Sequence, residues 1–431
     1  MTEKNMSISR RRYIKYVGAG AVAVAAAAVG GYYLNRPAPA PAMYEKGVIK
    51  VGVPAPISGW FASSAAEAVR CATMAIEDIN AQGGLVGYRL EILTADAGIA
   101  GGPYTPEATR AAMTYLAGQG VDVMVTAYVQ PITDVETAGE LGIPYLHSDV
   151  VSGVSALVAS DPEKYWMAFQ CTPNEKNYGT QMAELPDYAE KAKGWKPINN
   201  KVALLTIDLG YNQGIRAAGK EAFAKIGWTV NIDEVFTSAQ VEWGVILGKI
   251  RADPPAIIIF NDHVIADEAT FMKQFIENPT PSLIWLQYGP AEPEFMDLAG
   301  QTAEGAVWAT VLGAVPNATG NAWVERYKQR WGTNPGIGNG PGVYDEVMIW
   351  AEAVKKVGNP KDYRAVAAEI LKTDYPNGNC GRYVFDQTTH DALRGADYMP
   401  TLVFQIQTLK NVCVLPTKYA TGDFELPPWM H

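Results

Sequence analysis

The feature that most constrains this chain is an alternation of short apolar runs with amphipathic helical stretches. It begins at Val48 and begins again at Val202. Residues 48–53 form an apolar run closed by Pro54, which suits a strand buried on both faces of a parallel sheet. Ala68, Val69, Ala72, Ala75, Ile76 and Ile79 then share one helical face, and Gly83-Gly84 stops the helix. The first half continues with expected strands at 89–95, 121–126 and 143–147, and helices near 106–118 and 132–141. The second half has strands at 202–207, 228–235, 256–260 and 282–286, helices at 214–226, 241–251 and 266–277, and a further strand at 305–310. Helices near 323–331, 343–357 and 363–371 follow. An antiparallel pair of 382–385 with 401–407 is expected to close the chain. Alternating β and α with short loops predicts an α/β protein of two doubly wound parallel-sheet lobes, with helices on both faces of each sheet. Such sheets take ligands at the carboxyl ends of their strands, so two that face each other make a cleft.

Composition limits what the cleft serves. At 431 residues, 48% hydrophobic and 19% charged, the chain is long enough for a core in each lobe and is neither disordered nor a disulfide mini-scaffold. Its net charge is −10. The first 34 residues hold five basic side chains against one acid, so the other 397 carry −14. An acidic body argues against nucleic acid as a partner. The four cysteines, Cys71, Cys171, Cys380 and Cys413, make no CxxC motif, so a structural zinc site is not expected. Export would permit one or two disulfides, with the pairing open.

The N-terminus reads as a targeting segment. Ser9-Arg10-Arg11-Arg12-Tyr13-Ile14-Lys15 precedes an apolar Ala/Gly/Val run over 16–34 and closely resembles a twin-arginine export signal. Residues 1–34 are thus an export signal or a membrane anchor, and 35–45 a Pro/Ala linker that is either cleaved or serves as a stiff spacer. This places the protein in the periplasm or at the cell surface.

Several segments resemble one family. Val51-Gly52-Val53-Pro54-Ala55-Pro56-Ile57-Ser58-Gly59 resembles the opening strand and Ser-Gly loop of type I solute-binding proteins of ABC importers, in the branched-chain amino acid and amide class. Residues 75–87, Ala-Ile-Glu-Asp-Ile-Asn-Ala-Gln-Gly-Gly-Leu-Val-Gly, resemble that family's helix end. Gly142-Ile143-Pro144-Tyr145, Tyr211-Asn212-Gln213-Gly214 and 300–305 are similar to its later landmarks and fall in its order. The resemblance covers about 46–410. It implies a type I periplasmic binding protein fold whose lobes are interleaved through a three-segment hinge. Lobe 1 would comprise 46–168 plus 308–380, and lobe 2 would comprise 169–307 plus 381–415, with a tail at 416–431. The crossings would lie near Phe169, Trp308 and Tyr383.

Residues just past strand ends are the expected ligand contacts. In lobe 1 these are Trp60 and Phe61, then Tyr128 and Gln130, then His147, Ser148 and Asp149. Lobe 2 offers Tyr211, Asp262, Gln287 and Tyr288. The resemblance puts Tyr128, Gln130 and Ser148 on the side of a ligand carboxylate, and Asp262 or Glu292 against an ammonium. Trp60 and Tyr211 are expected to approach the ligand from opposite lobes. The rings near the cleft favour a ligand with an apolar or planar part.

Enzyme readings are weaker. His147-Ser148-Asp149 holds three triad residue types, but adjacent residues cannot adopt triad geometry. There is no G-x-S-x-G elbow and no P-loop. A metal site made by His147 and Asp149 with Asp262 and His263 lacks any supporting spacing, so no metal, cofactor or catalysis is expected. The expectation is a monomeric solute-binding protein that delivers a small polar organic solute to an ABC transporter membrane permease. The alternative is a ligand-sensing ectodomain or regulator of the same fold, which would normally carry a signalling domain after residue 410.

Overall fold

A computed structural model describes residues 44–430 apart from Pro103, Ser238–Val241 and Asn339. The export segment and its linker up to residue 43 lie outside the described residues. Among the described residues, no helix is long and apolar enough to cross a membrane.

The described residues form a five-stranded sheet, a seven-stranded sheet and a two-stranded hairpin. The first sheet takes β1 (Val48–Ala55), β2 (Arg89–Asp96), β3 (Val123–Thr126), β4 (Tyr145–His147) and β5 (Ala168–Gln170), in the spatial order 2-1-3-4-5 and all parallel. The second takes β6 (Lys201–Ile207), β7 (Thr229–Phe236), β8 (Ile257–Asn261), β9 (Leu283–Leu286) and β10 (Val307–Thr310) in the parallel order 7-6-8-9-10. β11 (Asp374–Gly378) and β12 (Gly381–Val384) pair with each other, and β13 (Leu402–Gln407) and β14 (Lys410–Leu415) extend the second sheet antiparallel from β10.

The strands are apolar almost without break because both faces are covered. Alternate residues serve opposite cores, as a period of two requires. In β3, Val123 and Val125 enter one cluster and Met124 the other. In β8, Ile258 and Phe260 face one side and Ile257 and Ile259 the other. The helices between strands are α1 (Ala62–Ala81), α2 (Pro106–Gly118), α3 (Thr133–Leu141) and α4 (Ser152–Ser160) in the first half. Next come α5 (Lys176–Met182), α6 (Leu185–Lys193), α7 (Gly210–Lys225), α8 (Gly244–Ala252), α9 (Ile265–Ile276) and α10 (Glu294–Ala299). After β10 the chain adds α11 (Ala318–Trp331), α12 (Gly340–Val357) and α13 (Tyr363–Leu371), whose apolar faces join the core of the first sheet. The chain therefore leaves the first lobe, builds the second, and returns.

The expected pairing of 382–385 with 401–407 is corrected. β12 pairs with β11, and β13 turns back on β14 through Thr408-Leu409. Both turn residues have positive φ, 50° and 59°, the geometry a two-residue hairpin needs. Neither is Gly or Asn, so the turn carries no sequence signal. The Glu304 carboxylate holds it, accepting from the Thr408 and Leu409 N–H groups at 2.6 and 3.2 Å. The four cysteines are buried free thiols, so no disulfide forms among them.

Candidate functional site

Each parallel sheet reverses its strand order once, β1 against β3 in the first and β6 against β8 in the second. The loops leaving those strands diverge and open a crevice at the carboxyl edge. Aromatic residues from both crevices meet.

On the first lobe, the loop after β1 is clamped onto the loop after β2. The Trp60 N–H donates to the Gly102 carbonyl at 2.9 Å. Gly59 has φ +96°, and a Cβ there would come within 2.3 Å of the Gly102 oxygen, so only glycine allows the approach. This sets Phe61 at the start of α1. Its ring stacks on Tyr104, 5.1 Å between centroids, and on Tyr128, 5.6 Å. It also stacks at 5.9 Å on His263 of the second lobe, which follows β8. His263 in turn meets the edge of Tyr211, at the start of α7, at 6.1 Å. The Tyr211 hydroxyl accepts from Gln287 Nε2 at 3.4 Å, and Gln287 is fully buried after β9.

Two polar contacts join the lobes beside these rings. The Tyr128 hydroxyl donates to that of Tyr288 at 3.1 Å, and Ser64 Oγ on α1 donates to Glu292 Oε1 at 2.9 Å. Tyr288 sits at φ +87°, a strained geometry for a ring-bearing residue. Gly338 lies against it, where a Cβ would stand 2.6 Å from the hydroxyl. The adjoining Ile337 N–H donates to the Ala291 carbonyl at 3.0 Å.

Burial governs the protonation of the site. It pushes the Glu292 carboxyl up and lowers His263 to about 4, so the imidazole is neutral near pH 7. Burial likewise raises the Tyr128 and Tyr288 hydroxyls, so both stay protonated. The site is thus a wall of rings with neutral hydroxyls and an imidazole, and an acid at its rim. None of these cross-lobe side chains is a lysine or arginine.

The structure brings Phe61, Tyr128, Tyr211, Gln287 and Tyr288 together. Trp60 stands apart. It is 59% exposed, and its indole N–H donates to the Gly101 carbonyl at 3.2 Å. The Gln130 side chain is half-buried, and its backbone N–H donates to Thr109 Oγ1 at 3.0 Å. Asp262 is fully buried, and its Oδ1 accepts from the N–H groups of His263 and Val264 at 2.6 and 3.0 Å. That is the turn leading into α9. Burial raises its carboxyl to about 7 against those two hydrogen bonds.

Ser148 is buried, and its Oγ donates to Glu346 Oε1 at 2.5 Å. Glu346 lies on α12, which returns from the second lobe, and its other oxygen accepts from the Thr126 N–H at 3.1 Å. His147 is fully buried and stacks on Tyr145 at 4.9 Å, with Nδ1 2.9 Å from Asp149 Oδ2.

Tyr104, Ser64 and Glu346 were not among the expected contacts. Tyr104 was within reach, because it too lies beyond a strand end, that of β2, just before the Thr105 cap of α2. Glu346 sits far along the chain on a helix that reads as core, so no local signal marks it.

Comparisons agree with this architecture. The family model for periplasmic binding proteins matches residues 48–402. Leu/Ile/Val-binding protein homolog 3 of Brucella melitensis is 24% identical over 328 residues, which cover 75% of this chain and 83% of the relative. A solved structure from Silicibacter pomeroyi, assigned to a branched-chain amino acid ABC transporter, superposes with a TM-score of 0.83 at 29% identity, covering 89% of this chain and 100% of its own. A solute-binding protein of R. palustris in complex with benzoate shares the fold at a TM-score of 0.67 and 18% identity, over 85% of this chain and 96% of its own. With its two doubly wound lobes and a match spanning nearly all of both, the chain belongs to the periplasmic binding protein family of extracytoplasmic solute-binding proteins.

Proposed function

We propose that this protein captures a small organic solute with an apolar or planar part between its lobes and hands it to an ABC transporter permease. The observation that carries this reading is the meeting of Phe61, Tyr104 and Tyr128 with His263 and Tyr211 where the two switch points face each other. Rings held this way offer a planar or branched apolar group a large contact at low entropic cost. Glu292 and the hydroxyls suit a polar end that donates hydrogen bonds, such as an ammonium or amide. The names of the relatives support amino acids with branched apolar side chains, and the benzoate complex of a fold neighbour supports aromatic acids.

The lobes would comprise roughly 46–170 with 311–400, and 171–310 with 401–430; residues 381–400, expected in lobe 2, go to lobe 1 because Tyr383, Phe385 and Met399 pack in its core, which moves the third crossing from Tyr383 to about 400. Contacts such as Tyr128–Tyr288 require both lobes, so ligand binding would favour closure. The twin-arginine segment would export the folded protein.

A thermal-shift screen of amino acids, amides and aromatic carboxylates tests the reading. A true ligand at 100 times its Kd stabilises the native state by about 2.7 kcal/mol. X-ray scattering with that ligand should show compaction. A flat screen across all three classes, or an unchanged envelope at saturation, contradicts the proposal.

A further inference from the structure

In the first lobe, three side chains converge with no lysine or arginine paired to them. Asp134 lies in the first turn of α3, His147 ends β4, and Asp149 follows it. One ligating atom from each lies within 4.8 Å of the other two. Asp134 and His147 are fully buried, and the Asp149 side chain is 1% exposed. Asp134 Oδ1, Asp149 Oδ2 and both ring nitrogens of His147 meet no well-aligned donor or acceptor, although the Asp134 and Asp149 carboxyls lie within reach of each other. The 2.9 Å approach of His147 Nδ1 to Asp149 Oδ2 is too poorly aligned to count as a hydrogen bond.

We infer that Asp134, His147 and Asp149 form a divalent transition-metal site that ties the loops after β3 and β4 together.

Three arguments support it. The first is charge. Two buried carboxylates with no lysine or arginine paired to them would each cost several kcal/mol as ions. One divalent cation neutralises both. The second is donor chemistry. One imidazole nitrogen with two carboxylate oxygens suits zinc and its first-row neighbours, whose bonds of about 2.0–2.2 Å would draw these side chains closer together. The third is the outer shell. The Tyr145 hydroxyl donates to Asp134 Oδ2 at 2.7 Å, leaving Oδ1 for the cation, and its ring stacks on His147. Metal ligands are commonly oriented in this way. The neighbouring backbone is strained: Ile132 and Val150 are β-branched, yet have φ of +75° and +59°.

The test is zinc titration of the full chain after treatment with a chelator and its removal. Calorimetry should show one equivalent bound per chain. Asp134→Asn and His147→Gln should each weaken binding at least tenfold, while Glu163→Gln, a change on the exposed surface, should not. Cobalt(II) should give a visible absorption band with the unmodified protein that is lost in His147→Gln. No stoichiometric uptake by the unmodified protein overturns the assignment, as does equal uptake by folded Asp134→Asn and His147→Gln variants. If those variants fail to fold, the cobalt band of the unmodified protein decides, and its absence overturns the assignment.

Discussion

Tyr128 and Tyr288 touch hydroxyl to hydroxyl across the cleft, 3.1 Å apart, although each belongs to a different sheet. Tyr128 leaves the end of β3 and packs against the cores of both lobes, while Tyr288 leaves the end of β9. The hydrogen bond exists only while the lobes are together. It is a latch on closure rather than a part of either core.

The latch predicts a specific mutant pattern. Tyr128→Phe and Tyr288→Phe each remove one hydroxyl and keep the ring. Each should weaken solute binding by about 0.5–1.5 kcal/mol, the usual net value of one hydrogen bond. The double variant should lose little more than either single one, because both remove the same contact. Additive losses in calorimetric titrations would show that the hydroxyls act separately.

A second prediction concerns pH. Glu67 on α1 accepts from the Gly336 N–H at 2.7 Å, and burial pushes its carboxyl from 4.5 up to about 7. The charge of Glu292 adds to the rise, while the Gly336 and Gly340 N–H groups and Arg70 oppose it. The folded state therefore holds this proton more tightly than the unfolded state. The contribution to stability is complete below about 4.5 and is lost as pH rises through 7. Glu67→Gln keeps the acceptor and removes the titration. Its stability should gain on the unmodified protein by about 2–3 kcal/mol between pH 5 and 8. Denaturant melts at four pH values measure this, and a constant difference between the two proteins would refute it.

Ser148 offers a third test. Its hydroxyl donates to Glu346, which is buried 0% exposed in the first lobe. Ser148→Ala removes one of that carboxyl's partners and should destabilise the protein by about 1–3 kcal/mol. If the hydroxyl serves only this bond, solute affinity should hold within twofold. A tenfold loss of affinity with an unchanged melting temperature would place Ser148 on the ligand instead.

The two sheets were legible in the sequence because doubly wound strands must be apolar on both faces, and runs such as 256–260 and 202–207 advertise this. Loops that cross between lobes carry no such signature. Strand ends gave Phe61, Tyr128, Tyr211 and Tyr288 because the carboxyl edge of a parallel sheet is where side chains converge. The same rule could not separate Trp60 from Phe61, which are adjacent, since the rotation of the chain into α1 decides which ring points inward. Asp134 was illegible for another reason. Its partner residues lie 13 and 15 positions away, beyond any local motif, and only the pairing of β3 with β4 brings α3 above them.

The last prediction separates those two adjacent rings. Trp60 is 59% exposed, and its indole N–H is taken by Gly101, whereas Phe61 contacts Tyr104, Tyr128 and His263. Phe61→Ala should therefore weaken solute binding by roughly 1–3 kcal/mol, in the range for losing a buried large side chain. Trp60→Ala should change it by less than about 0.5 kcal/mol, as for a surface substitution. Tyr211 reaches the same cluster through His263, so Phe61→Ala and Tyr211→Ala should be non-additive, with His263 as the shared neighbour. Affinity and melting temperature must both be measured on each variant. If Phe61→Ala lowers the melting temperature by many degrees and leaves affinity intact, the rings are packing between lobes and the solute binds elsewhere. If Trp60→Ala is the variant that loses affinity, the loop after β1 turns over when ligand binds, and the exposed indole is the contact.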